Sequence, residues 1–435
     1  MSAILDVVMW LADNIFGEPA ILIGLIVLIG LLLQKKTASQ TISGTFKAII
    51  GFLIITLGAD IISGALSVFE PLWAEVFNLE SESFSGYMGQ EAFNGKFGSA
   101  VALAMAIGFI INVLIARFTR FKYIYLTGHM MFWTTTIFAG VVVQVADDVS
   151  FWPLVIFLSV VMGLYWALQP AVVQPYMRKV TGNDNVALGH TSAAAVLLSA
   201  WAGKWLGNKE KDSEKIKVPN GLEFLRDSNV ITALTMGILF IIGAIVVLFR
   251  DTAGAQELVA STDQNFIVYA IIQSFTFTAG IAVVLTGVRM FIGEIVPAFR
   301  GIATKLVPGA KPALDAPIVF PYAPNAVILG FLGAFIGGIV WLVILGNTVG
   351  YVFVPTMIVL FFHGATAGVF GNATGGARGA VIGGFITATV VAWGQYIMVR
   401  MLIPDTIPDT GMWAADTDMF VLGPIIRFLS QLFFG

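Results

Sequence analysis

Apolar residues along this chain come in long blocks separated by short polar stretches, not in the two-residue alternation of half-buried strands. Blocks of about 18 to 25 apolar residues match a helix crossing a hydrocarbon core of about 30 Å. Eleven are legible: Ile15 to Leu33, Gly44 to Val68, Ser99 to Arg117, Tyr123 to Val145, Trp152 to Gln169, Asn229 to Leu248, Phe266 to Arg289, Tyr322 to Leu345, Tyr351 to Asn372, Gly379 to Val399 and Met419 to Phe434. A closed barrel would need alternating segments, and glycines and prolines scattered through the apolar blocks suit interrupted helices instead. The pattern predicts an all-α polytopic membrane protein of about eleven transmembrane helices.

Charge then assigns sides. Lys and Arg gather at Lys35 and Lys36, Arg117 to Lys122, Arg178 and Lys179, Lys204 to Arg226, and Arg300 to Lys311. Acids hold the opposite loops: Glu70 to Glu82, Asp147 and Asp148, Glu257 and Asp263, and Asp405 to Asp418. Basic loops stay in the cytoplasm, which puts the N-terminus outside and the C-terminus inside. The first block follows an acidic start (Asp6, Asp13, Glu18), so it is read as a retained span and not a cleaved signal.

Sliding the chain against itself by about 226 to 229 positions exposes a weak repeat. Gly58 and Gly64 meet Gly287 and Gly293, Ala100-Val101 meets Ala326-Val327, Tyr123-Ile-Tyr-Leu meets Tyr351-Val-Phe-Val, and Ala139-Gly-Val meets Ala367-Gly-Val. The loop charges run the Gly58 helix outward and the Gly287 helix inward, giving inverted halves at 1–225 and 226–435, the latter with an added final span. Inverted repeats place a substrate site near mid-membrane, where broken helices meet. Ser81 to Phe97 and Lys311 to Ala323 look like re-entrant hairpins, and Asn183 to Trp205 enters and leaves from the cytoplasm.

Composition narrows the chemistry. With 58% hydrophobic and 11% charged residues and a mean hydropathy of +0.90, the solvent is lipid. The net charge of -3 is too small to point to a partner and no basic stripe of the sort nucleic acid requires is present, so no nucleic acid is expected; the absence of Cys excludes disulfides, thiolate metal sites and phospho-cysteine chemistry within these residues. The glycine-rich stretch Gly371 to Ala380 lacks the GK[ST] of a phosphate loop and reads as a turn between two spans; no cofactor or metal is expected. Intramembrane polar residues are few and therefore informative, because an unpaired charge at mid-bilayer costs several kcal/mol. His129 in TGHMMF, His190 in LGHTS and Asp315 among prolines offer donors and acceptors for a small polyhydroxylated ligand. His363 reads as a packing residue, and Asp60 with Arg289 (or Arg289 with Glu294) as a structural ion pair.

TGHMMF, LGH (188–190), GVRMFIGE (287–294), ALD (313–315) and YAPNAV (322–327) together resemble the ascorbate-specific membrane component, enzyme IIC, of the bacterial phosphotransferase system. The resemblance covers nearly the whole chain. It implies a homodimer in the bacterial inner membrane, each protomer with a transport core moving against a V-shaped scaffold. It also implies import followed by phosphorylation from a separate phospho-cysteine enzyme IIB, fed by enzyme IIA. The family's substrate contacts fall on His129, His190 and Asp315. Four others differ here: Trp133 and Thr191 replace Gln, Ala59 replaces Ser, and Phe93 replaces Tyr. Fewer amides and hydroxyls shift which sugar is selected, and Trp133 offers a stacking face. The resemblance therefore implies L-ascorbate or a related sugar acid or polyol, with proton-coupled secondary transport as the alternative.

Overall fold

A computed structural model describes residues 10, 19–77, 88, 90–216, 228–351, 357–407 and 416–435. Its helices follow the apolar blocks: α1 (Pro19–Leu33), α2 (Ala38–Phe77), α3 (Gln90–Phe118), α4 (Gly128–Val145), α5 (Phe151–Thr181), α6 (Ala193–Leu206), α7 (Ser228–Leu248), α8 (Ala253–Ala260), α9 (Phe266–Lys305), α10 (Pro324–Thr348), α11 (Met357–Ile397) and α12 (Thr417–Phe434). Among the described residues, eight helical stretches are long and apolar enough to cross a membrane. Their outward faces are apolar. On α5, Ile156, Val160, Leu164, Leu168 and Val172 form an exposed stripe at four-residue spacing, as does α2 with Ile42, Phe46 and Ile50. Such stripes would aggregate in water and are stable against acyl chains.

Glycine decides where helices touch. A Cβ on Gly51 would lie 2.9 Å from the Phe291 nitrogen, one on Gly58 2.7 Å from that of Val284, and one on Gly287 2.7 Å from that of Ile55. Positions rising along α2 meet positions falling along α9, so these two helices cross antiparallel with backbones in contact. Within α11, Gly376 has φ 62° and ψ -163°, a left-handed conformation that Cβ-bearing residues rarely adopt. The chain folds back there: a Cβ on Gly383 would lie 3.0 Å from the Ala367 carbonyl, sixteen residues earlier. The turn expected at Gly371 to Ala380 thus divides α11 into two antiparallel legs.

One element departs from an all-α fold. Tyr123–Tyr125 (β1), Ala187–Leu188 (β2) and Lys311–Leu314 (β3) form a parallel sheet in the order β1-β3-β2, registered Tyr125 to Ala313 to Ala187. The Tyr123 stretch, read as the start of a span, is therefore β1. Lys311 to Ala323 is β3 followed by a 3-10 turn (Ala316–Tyr322). Of the other expected hairpin, 81–87 lie outside the described residues and 90–97 are helical. Open strand edges are costly away from water. Side-chain amides close both of them here. Asn112 of α3 donates to the Tyr123 carbonyl (3.1 Å) and accepts from the Tyr125 amide (3.1 Å), mimicking a fourth strand. Gln174 of α5 donates to the Val186 carbonyl (3.1 Å) beside β2. At the start of the sheet, Asp184 accepts from Arg178 (2.8 Å), Gln174 (2.7 Å) and Lys311. Partial burial pushes the Asp184 carboxyl up, but these donors outweigh it and hold the pKa down to about 2.

Candidate functional site

Three parallel strands point their carboxyl ends the same way, and each runs out into a candidate residue. After β1 comes Leu-Thr-Gly-His129, after β2 Gly-His190, and after β3 Asp315. The ladder continues past the strand ends, with the Leu126 amide donating to Ala313 (3.0 Å) and the Gly189 amide to Leu314 (2.6 Å). Gly189 is required for this: a Cβ there would lie 2.7 Å from the Ala313 carbonyl carbon and oxygen. The Thr127 hydroxyl, donating to the Gly189 carbonyl, ties the first strand's end to the second's.

This convergence brings together residues 129, 190 and 315. His129 Nε2 lies 3.3 Å from Asp315 Oδ2, and His190 Nε2 lies 3.8 Å from Asp315 Oδ1. Asp315 also accepts from the Ala316 amide (2.7 Å), capping the 3-10 turn, so its carboxylate is held from behind. His190 is fixed by Ser192, whose hydroxyl lies 2.9 Å from its Nδ1, and by Gln169, which donates to its carbonyl (3.0 Å). His129 is 41% exposed and His190 only 3%, so the first reaches into the space and the second forms its wall.

The space is a cavity of about 440 Å³, within the range of small-molecule sites. One face of α2, with Phe52, Thr56, Ala59 and Asp60 at helical spacing, lines the same cavity. Phe93, Trp133 and Thr191 are not on the lining. Phe93 is buried against Phe97, with ring centroids 4.9 Å apart, and Trp133 packs edge-on against Phe132. Thr191 is buried behind His190, its hydroxyl donating to Asp416.

Two lining residues differ from the sequence expectation. His363, taken as packing, sits in the cavity wall with its ring centroid 4.8 Å from that of His190, and its Nε2 lies 2.9 Å from Asp416 Oδ1. Asp416, counted among exposed loop acids, is buried. Asp418 is buried as well, accepting from Tyr165 (2.8 Å) and the Ala194 amide (2.7 Å) at the start of α6. The Asp418 amide donates to the Thr191 carbonyl (3.0 Å), so the start of α12 grips the His190 turn from both sides. The available signal was two acids at the start of an apolar helix, Asp416 at its N-cap position and Asp418 in its first turn. The expected pairing of Arg289 is also corrected. No ion pair joins it to Asp60 or Glu294 among the described residues, and Glu294 faces Lys47 (3.9 Å) instead.

An apolar shell with two imidazoles and a carboxylate at one point suits a small ligand with many hydroxyls. Residues 14–421 match the family described as the PTS system sugar-specific permease component. The chain belongs to that family. The permease is also 29% identical over 434 residues to the ascorbate-specific PTS system EIIC component of Mycoplasma pneumoniae, with 88% of this chain and 65% of the relative covered. It therefore spans about two thirds of that relative's length.

Proposed function

We propose that this permease imports L-ascorbate or a related sugar acid or polyol across a bacterial inner membrane, and that a separate phosphorylated enzyme IIB, recharged by IIA, phosphorylates the sugar on the cytoplasmic side. The observation that carries this is the meeting of His129, His190 and Asp315 at the carboxyl ends of three strands, in a cavity of sugar size. Neutral imidazoles donate and accept while the carboxylate accepts twice, matching vicinal hydroxyls. Ala59 leaves part of the α2 wall apolar, while Thr191 acts through Asp416 and Trp133 and Phe93 shape the helices behind the site.

In this reading the chain crosses the membrane eleven times, with the N-terminus outside, and functions as a homodimer. The shorter helices α1 and α7 and the two legs of α11 complete that count. Halves 1–225 and 226–435 are inverted repeats, and the antiparallel crossing of α2 with α9 supports that relation. The α2 and α9 helices belong to a scaffold against which the sheet, α6 and α11 move as a transport core, giving alternating access.

The test is uptake of labelled ascorbate and labelled alditols into vesicles, with and without phosphoenolpyruvate and the soluble phosphotransferase proteins. Phosphorylated product that needs those proteins is expected, with loss of uptake in His190→Ala and Asp315→Asn. Unmodified sugar accumulating under a proton gradient alone would refute the assignment.

A further inference from the structure

Six lining residues can carry charge: Asp60, Asp315, Asp416, His129, His190 and His363. No lysine or arginine belongs to the lining among the described residues. With neutral imidazoles the wall sums to -3, and with all three protonated it reaches only 0, so ionised carboxylates never leave it net positive. Two of the carboxylates are engaged, Asp315 facing His129 and His190, and Asp416 bonded to His363 and Thr191. Asp60 is the remaining one. It lies one position beyond Ala59 on the cavity face of α2, exposed to the cavity, with no hydrogen-bonding or ion-pairing side chain among the described residues. A carboxylate in that position within a spanning helix is costly unless water or ligand solvates it.

From this we infer that Asp60 is a specificity-determining residue that selects an uncharged polyol and rejects sugar-acid anions such as ascorbate. This rests on the cavity being the substrate site. The Asp60 carboxylate accepts hydrogen bonds from two hydroxyls of a bound polyol, offsetting its own desolvation, in the same cavity as Asp315. Two carboxylates lining one cavity give a chain of hydroxyls two acceptor groups. The same pair repels a monoanion bound in the cavity. Ala59 supplies no hydroxyl to soften it.

The test is a binding titration at pH 7.5 on the purified full chain in detergent. The ligands are neutral pentitols, hexitols and aldoses on one side and L-ascorbate and D-gluconate on the other. Wild type is expected to bind its best neutral ligand on the order of 10-fold more tightly than either anion, the scale of one like-charge contact in a cavity. Asp60→Asn should weaken that neutral ligand modestly and tighten ascorbate by about the same factor. A melting temperature close to wild type would show that the variant folds. Ascorbate bound more tightly than every neutral ligand, with Asp60→Asn unchanged, overturns the inference. If His190→Ala then still abolishes ascorbate binding, the site itself stands. Binding that survives both His190→Ala and Asp315→Asn overturns the site and this inference together.

Discussion

Placing one methyl group at Gly189 tests whether the sheet positions the site. An alanine Cβ there would sit 2.7 Å from the Ala313 carbonyl carbon and oxygen and 3.1 Å from its Cβ. Reaching ordinary contact at 3.4 Å requires β2 and β3 to part by about 0.7 Å. The Gly189-to-Leu314 hydrogen bond, at 2.6 Å, opens first, and the displacement passes to His190, whose Nε2 lies 3.8 Å from Asp315. Overpacking of this kind costs about 1 to 3 kcal/mol in stability. Misplacing a binding group by most of an ångström weakens the affinity by on the order of 10- to 100-fold. Gly64→Ala is the control, since a Cβ there meets nothing within 4 Å. Both proteins are purified in the same detergent and compared by thermal melting and by ligand titration. Gly189→Ala should melt lower and bind at least about 10-fold more weakly, with Gly64→Ala close to wild type on both counts. A Gly189→Ala protein with unchanged affinity would refute the claim that strand spacing places His190.

Three further outcomes follow from other contacts. Asp416→Ala leaves His363 and Thr191 without their acceptor in a buried setting, so it should destabilise the protein by about 3 to 5 kcal/mol, with Asp416→Asn costing less; denaturant unfolding in detergent measures both. Glu214, in the strap 207–216, accepts from the amides of Asn325 (3.0 Å) and Ala326 (3.1 Å) and so caps α10 from outside the helix; Glu214→Ala should lower stability by about 0.5 to 2 kcal/mol and speed proteolysis of the strap. Asp184 has a folded-state pKa of about 2, below its ordinary value of 3.8, so its contribution is present above pH 3.8 and lost as pH falls toward 2. Melting curves of Asp184→Asn should lack that part of the acid sensitivity, and identical curves for variant and wild type would exclude the clamp.

The amino-acid sequence by itself determined the solvent and most of the framework. Long apolar blocks dictate spanning helices because lipid leaves backbone groups no other partner, and that rule acts locally, within about 20 residues. The Gly371 to Ala380 turn was legible for the same reason, since Gly376 adopts a conformation that few other residues accept. His129, His190 and Asp315 stood out because polar residues are rare in such blocks. Their meeting at one point was decided only in three dimensions. Strands of two to four residues carry no periodic signal, and they form here because Asn112 and Gln174, on helices before and between them, close the sheet's edges. The same holds for charge. Asp60 and Arg289 look like partners in the repeat, yet the crossing of α2 and α9 leaves Asp60 facing the cavity, while the fold carries Asp416 and Asp418 from an apparent surface loop into the wall behind His190. The pairing of β3 with β1 and β2 and the bond of Asp416 to His363 join residues more than 50 positions apart, which local composition cannot encode but tertiary packing enforces.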